Sequence, residues 1–196
     1  MNFEEYKQIY KTVPLYKTEQ SQTFQVQRDN IITVCKKFPS PLERAGEEIA
    51  YRYLLRQDII KIPALLLFGE DFLEFQFIER VRTPEDAEII KGISELYVKT
   101  LDNIPSLLLP RPNLTKEKIF SRISYIKDEF IKNDILEEGV LEKAKQFMQK
   151  EYGSCPHICV VHGDLKSLHC IPSYQNIYFI DFGLTSIADP WYDIAF

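Results

Sequence analysis

Val160-Val161-His162-Gly163-Asp164-Leu165-Lys166-Ser167-Leu168-His169, followed closely by Phe179-Ile180-Asp181-Phe182-Gly183, is the stretch on which the fold turns. Each half runs from a short apolar segment into an acidic residue with a glycine nearby. Apolar runs of this length read as buried strands, and glycine permits the tight turns that follow them. A β-hairpin between the halves is expected to set Asp164 and Asp181 side by side on two loops. Two carboxylates so placed suit phosphoryl transfer: one meets a hydroxyl nucleophile, and the other holds Mg²⁺ on a nucleotide. In that chemistry the protein mainly positions groups and neutralises charge.

Upstream, the first forty residues read as strands. Thr23–Gln27 alternates, Asp29-Asn30 turns, and Ile31–Phe38 returns before Pro39 and Pro41 end the run. A helix is expected from about Leu42 to Leu55, with Ser40 as N-cap and Glu43 three residues on. Its apolar face is Ala50, Tyr51, Leu54 and Leu55. Two further strands, Ala64–Phe68 and Phe72–Ile78, flank a hairpin turn at Gly69-Glu70-Asp71. Beyond residue 80 the pattern becomes helical. Pro84-Glu85-Asp86 opens a helix to about Asp102, with Ile89, Ile90, Ile93, Leu96, Tyr97 and Leu101 as its buried stripe. Two more helices are expected at about Lys116–Asn133 and Glu137–Tyr152. The implied fold class is α+β in two lobes: residues 1–80 a small antiparallel sheet with one helix, residues 81–196 mainly helical with the motif hairpin.

The bulk numbers narrow the function class. At 196 residues, with 45% hydrophobic and 27% charged side chains, the chain is an ordinary globular protein. A net charge of −5 argues against a nucleic-acid surface. The N-terminus is polar and acidic, and no apolar run approaches membrane-spanning length, so neither a membrane nor export is expected and the setting is cytoplasmic. Cys155, His157, Cys159 and Cys170 are spaced as a weak zinc pattern. Cys159 falls inside an apolar run, so buried thiols in a reducing compartment fit better. Oligomeric state is not legible.

His162-Gly163-Asp164, then Asp181-Phe182-Gly183, then Ala188-Asp189-Pro190-Trp191-Tyr192-Asp193-Ile194-Ala195 together resemble the protein-kinase-like fold. More closely they resemble the aminoglycoside phosphotransferase and choline kinase group. Three ordered matches at the right spacing, after the right lobe order, make the resemblance specific from about residue 20 to the end. It implies ATP or GTP as donor, Mg²⁺ (or Mn²⁺) as cofactor, and a small-molecule hydroxyl acceptor. Asp164 matches the catalytic aspartate and Asp181 the metal-binding one. His162 is read as structural. His169 stands where the group usually has a metal-binding Asn, and its imidazole nitrogen suits Mn²⁺ or Zn²⁺ better than Mg²⁺. Lys166 lies where protein kinases carry a lysine near the transferring phosphate.

In the first lobe the resemblance implies a third-strand lysine held by a helix glutamate. Lys36 fits, with Lys37 as runner-up; strand alternation sets Val34 on the Lys36 face, over the adenine. Glu47 borders the helix's buried stripe and is preferred to Glu48 as partner. The nucleotide-covering turn Glu19-Gln20-Ser21-Gln22 has no glycine, which leaves Ser21 as its contact. Phe77 and Ile78 mark the hinge whose main chain reads the base. Asp193 matches an aspartate that braces the catalytic loop. Asp128, Glu129, Asp134, Glu137 and Glu138 are candidates to attract a cationic acceptor. The ending at Asp193-Ile194-Ala195-Phe196 reads as a first helical turn, so a C-terminally truncated member is expected. Two other readings stay open: a non-catalytic kinase-like nucleotide-binding module, and the small atypical kinase of tRNA threonylcarbamoylation, which lacks so long a helical insert.

Overall fold

The computed structural model describes residues 1–17, 21–28, 30–101, 146, 159–188, 190 and 193. The expected helices beyond Asp102, apart from helical Gln146, and the five acidic acceptor candidates lie outside them. So do Glu19, Gln20, Cys155 and His157.

Five antiparallel strands form the N-terminal sheet: β1 (Lys11–Lys17), β2 (Gln22–Arg28), β3 (Ile31–Lys37), β4 (Leu65–Phe68) and β5 (Phe72–Gln76). Their order across the sheet is β1-β2-β3-β5-β4. β3 lies at the centre, with Val34 opposite Phe75 and Lys36 opposite Leu73. Alternation along β3 then sorts its side chains between two faces.

Each face carries a helix. The first-lobe expectation of one helix is corrected to two, because Phe3–Ile9 forms a helix (α1) where strand was expected. Asn2 accepts from the Glu5 N–H, and the Glu5 side chain accepts from the Asn2 N–H, a reciprocal cap that satisfies two orphan donors. Phe3 and Tyr6 bury one face of α1 against Phe24, Val26, Cys35 and Phe72 of the sheet. Fixation is tight: the Phe3 N–H donates to Asp71 at 2.7 Å, and Lys37 reaches Glu4 at 3.1 Å.

The second helix, α2 (Pro41–Gln57), starts where expected, with the Glu43 N–H donating to the Ser40 hydroxyl at 3.3 Å and Pro41 at its first position. Its buried residues are Glu47, Ala50, Tyr51 and Leu54, spaced to share one face. Leu55, read as buried, is exposed; it lies one residue past that face.

The third helix, α3 (Asp86–Thr100), buries Ile89, Ile93, Leu96, Tyr97 and Thr100. Ile90 and Leu101 are exposed instead, and polar Thr100 takes the inward place. It does so because its hydroxyl has partners there, donating to the Leu96 carbonyl at 2.7 Å and accepting from the Val160 N–H at 3.0 Å.

The motif region forms two small antiparallel pairs. β6 (Cys159–Val161) pairs with β9 (Ser186–Ala188), and β7 (Cys170–Ser173) pairs with β8 (Asn176–Phe179) as the expected hairpin. Main-chain bonds tie this region to the preceding chain, from Phe179 N–H to the Lys61 carbonyl at 2.9 Å and from Val81 N–H to the Pro172 carbonyl at 3.1 Å. Among the described residues, no helix is long and apolar enough to cross a membrane.

Candidate active site

The loop after β6 is shaped by Gly163, whose φ of +87° is the left-handed region. A Cβ there would lie 2.1 Å from the Leu184 carbonyl oxygen, so the loop packs too closely for any side chain. The loop is held from behind by Asp193, which is buried. One carboxylate oxygen accepts from the Gly163 N–H at 2.7 Å, and the other from the His162 N–H at 2.6 Å and the Tyr97 hydroxyl at 2.9 Å. Burial pushes the Asp193 carboxyl up to about 6, against the pull of those donors.

His162 is buried and its Nε2 contacts the Ile180 carbonyl at 2.8 Å, which requires Nε2 to donate. Its Nδ1 is then an acceptor, and the Asp164 N–H donates to it at 3.3 Å. Burial lowers this imidazole to about 4, so it stays neutral and ties the two loops together, as the structural reading expected.

Asp164 faces Lys166, whose Nζ is 2.7 Å from one carboxylate oxygen. The Asp164 carbonyl accepts from His169 Nδ1 at 2.7 Å. A carbonyl only accepts, so Nδ1 carries a proton, and Nε2 is the ring nitrogen turned toward the site. That nitrogen sits 3.6 Å from an oxygen of Asp181.

Asp181 follows β8 in a left-handed conformation, φ 66° and ψ 61°, which is uncommon for a residue with a Cβ. Its other carboxylate oxygen is 2.7 Å from the Lys36 ammonium, and the same ammonium is 2.7 Å from buried Glu47. Burial works against the charge on Lys36, but the two carboxylates outweigh it and hold the ammonium above its ordinary value. In Asp181, burial is likewise overcome, here by Lys36, and the carboxyl is lowered. Both groups are therefore charged. Lys37, the runner-up, points away to Glu4, and Glu48 is taken by Arg44 and Arg52.

One cavity of about 750 Å³ is lined by Ser21, Val34, Lys36, Glu47, Phe77, Ile78, Asp164, Lys166, His169 and Asp181. These ten candidates from the sequence thus meet in one place, with Asp193 behind the loop and the five acidic acceptor candidates outside the described residues. Phe77 and Ile78 lie just past the end of β5, on the irregular segment that follows it. Lining residues not anticipated include Leu15, Tyr51, Phe75, Ile171 and Ile180. These are apolar or aromatic side chains in strands, a helix and, for Ile180, the residue just past β8, and nothing in their sequence context separates them from core. Among the described residues, no three His, Cys, Asp or Glu side chains converge as a metal cage. Cys159 and Cys170 of the zinc pattern are buried free thiols.

The sequence pattern of the phosphotransferase enzyme family matches residues 13–196. This chain belongs to that family. A curated relative, the LicA homolog of Mycoplasma capricolum subsp. capricolum, is 23% identical over 146 residues, 74% of this chain. The chain spans 57% of that relative's length. Among solved structures, macrolide 2'-phosphotransferase MphH from Brachybacterium faecium superposes with a TM-score of 0.63 at 14% identity, covering 93% of this chain and 69% of its own. Choline kinase LicA from Streptococcus pneumoniae gives 0.62 at 17%, covering 97% and 70%. Spectinomycin phosphotransferase, solved with ADP and spectinomycin, gives 0.62 at 12%, covering 97% and 70%. This phosphotransferase family member therefore has the protein-kinase-like fold that its motifs implied, with an antiparallel sheet and α2 in front of the motif loops.

Proposed function

We propose that this chain transfers the γ-phosphate of ATP or GTP to a hydroxyl of a small-molecule acceptor, an antibiotic, sugar or amino-alcohol. The observation that carries this reading is the Lys36 ammonium, 2.7 Å from both Glu47 and Asp181 on the wall of the cavity that Asp164 also lines. A cation fixed by a buried carboxylate is aimed rather than mobile, which suits it to phosphate oxygens. Residues 1–80 act as the nucleotide-binding lobe. Val34 supplies apolar surface for the base, the main chain at Phe77 and Ile78 reads its edge, and Ser21 offers a hydroxyl to the phosphates. Residues 81–196 supply the catalytic loops and the acceptor side. No nucleic acid or membrane takes part, and the buried free thiols fit a cytoplasmic setting.

Asp181 and His169 are the residues that would hold Mg²⁺ or Mn²⁺. They fit a cation by donor chemistry: a carboxylate oxygen and His169 Nε2 face each other at 3.6 Å, and with Nδ1 bonded to the Asp164 carbonyl, Nε2 is the nitrogen the ring can offer. When bound, the metal neutralises phosphate charge. The nitrogen donor tilts the site toward Mn²⁺ relative to an all-oxygen set. Asp164 orients the acceptor hydroxyl and takes its proton, and Lys166 holds the Asp164 carboxylate beside the transferring group. The relatives support this reading, since they include a choline kinase, a macrolide phosphotransferase and an ADP-bound spectinomycin phosphotransferase.

The test is acceptor-dependent release of nucleoside diphosphate, screened over choline, aminoglycosides, macrolides and sugars with each metal. Asp164→Ala is expected to lose at least about a hundredfold in turnover while nucleotide still binds. Turnover unchanged in that variant would sink the mechanism. Metal-dependent nucleotide binding without turnover on any acceptor would point instead to a non-catalytic binding module.

A further inference from the structure

Two residues past Asp181, Gly183 occupies the middle of a single 3₁₀ turn, Phe182–Leu184. Among the described glycines only Gly163 has a positive φ, so the Gly183 backbone lies in a region open to any residue. A helical turn even favours alanine over glycine. Space, not conformation, is what the missing side chain provides. A Cβ at this position would lie 3.2 Å from Glu47 Oε2 and 3.7 Å from Asp181 Oδ1. Those are the two oxygens that accept from the Lys36 ammonium, each at 2.7 Å. Glu47 is buried, and its bond to Lys36 is already at the short end for a charged pair.

Helix α2 rests on this turn through two side chains one helical turn apart. The Tyr51 ring meets Phe182 edge-on, with centroids 5.2 Å apart at 90°. Glu47, four residues earlier on the same buried face, lies over Gly183. A large residue under Tyr51 and no side chain under Glu47 let the helix come close enough for Glu47 to reach an ammonium that Asp181 also holds. We propose that Gly183 is a positioning residue for Lys36, setting how closely α2 approaches the Asp181 loop. The inference rests on the assignment of Lys36 as the phosphate-binding lysine. A methyl group at position 183 displaces the Glu47 oxygen by a few tenths of an ångström, lengthens its bond to Lys36 and leaves the ammonium drawn toward Asp181 alone.

The test is Gly183→Ala, read by calorimetry with a non-hydrolysable ATP or GTP analogue and with the matching nucleoside, which has no phosphates. Affinity for the analogue, measured with Mg²⁺, is expected to fall about fivefold, the scale of one weakened charge-assisted hydrogen bond. Affinity for the nucleoside is expected to hold within about twofold, because Lys36 acts on phosphates. In a Lys36→Met background the same substitution is expected to cost the analogue nothing further. Analogue affinity equal to the wild type, equal losses of analogue and nucleoside, or an undiminished loss in the Lys36→Met background would overturn the proposal. So would a Gly183→Ala protein that does not fold, since the glycine would then serve packing. Lys36→Met separates the two claims. If it binds the analogue as the wild type does, the Lys36 assignment falls and Gly183 with it. If it binds weakly while Gly183→Ala binds normally, only the Gly183 role falls. No binding of either analogue by the wild type would overturn both.

Discussion

Asp193 shows how one buried carboxylate can set the geometry of a loop. It accepts from the His162 and Gly163 N–H groups at 2.6 and 2.7 Å and from the Tyr97 hydroxyl at 2.9 Å. The ionised form accepts from all three most strongly, since a protonated carboxyl is a weaker acceptor and must also place its own O–H. Burial nevertheless pushes this carboxyl up to about 6, above the ordinary aspartate range. The consequences for stability and activity have opposite signs. Folding takes up a proton on Asp193 between the ordinary range and about pH 6, so its contribution to stability is greatest in acid and declines as pH rises through that window. The proposed transfer draws on the charged form of this brace, so turnover is expected to fall as pH drops through about 6. A pH–rate profile recorded beside thermal melts checks this. Full activity retained well below that pH, with the loop intact, would show that the brace does not depend on the charge.

At the scale of elements, α1 and α2 cover opposite faces of the same sheet and answer to different demands. Helix α2 was legible from Ser40, Pro41 and a buried face of four residues, and its choice of Glu47 over Glu48 followed from which side of that face each occupied. Helix α1 was not read, although Asn2 and Glu5 carry its cap and Phe3 and Tyr6 its buried side. Seven residues hold too few turns for periodicity to separate helix from strand, and a helix that short forms only because the sheet gives it a surface. The inward Thr100 of α3 was missed for a related reason: a hydroxyl is tolerated there only through its Leu96 and Val160 partners, which no local pattern reveals. The division of labour gives a prediction. Phe3 packs on Phe24 at a centroid distance of 4.7 Å and on Phe72 at 6.0 Å, and Lys36 lies on the sheet's other face. Phe3→Ala is expected to cost about 3–5 kcal/mol of stability. At temperatures where the variant stays folded, nucleotide affinity is expected to hold within about twofold. Denaturant unfolding and nucleotide titration of the same preparation measure both, and a large loss of affinity in a folded variant would show that α1 shapes the site as well as the core.

For the molecule as a whole, the decisive contact is between groups 145 residues apart, Lys36 of β3 and Asp181 after β8. The motifs made both residues legible, because phosphoryl transfer asks for particular side chains at particular spacings. Tyr51, Phe75, Ile171 and Ile180 line the same cavity and were not legible, because packing asks only for shape and apolar surface. The long-range ion pair also says how a ligand should act on stability. The Lys36 cluster holds one ammonium and two carboxylates, with His169 Nε2 beside it. In the proposed complex a divalent cation with nucleotide phosphates would complete that charge set in the folded state and would have no such site in the unfolded chain. At about a hundred times its dissociation constant, a ligand selective for the folded state adds about 2.7 kcal/mol. At about 2–4 °C per kcal/mol for a chain of this size, the melting temperature is expected to rise by roughly 5–10 °C with Mg²⁺ or Mn²⁺ and nucleotide together. Chelating the metal is expected to remove most of that rise, and Lys36→Met nearly all of it. An equal rise with nucleotide alone, in excess chelator, would mean that the phosphates are held without a cation and that Asp181 and His169 serve another purpose.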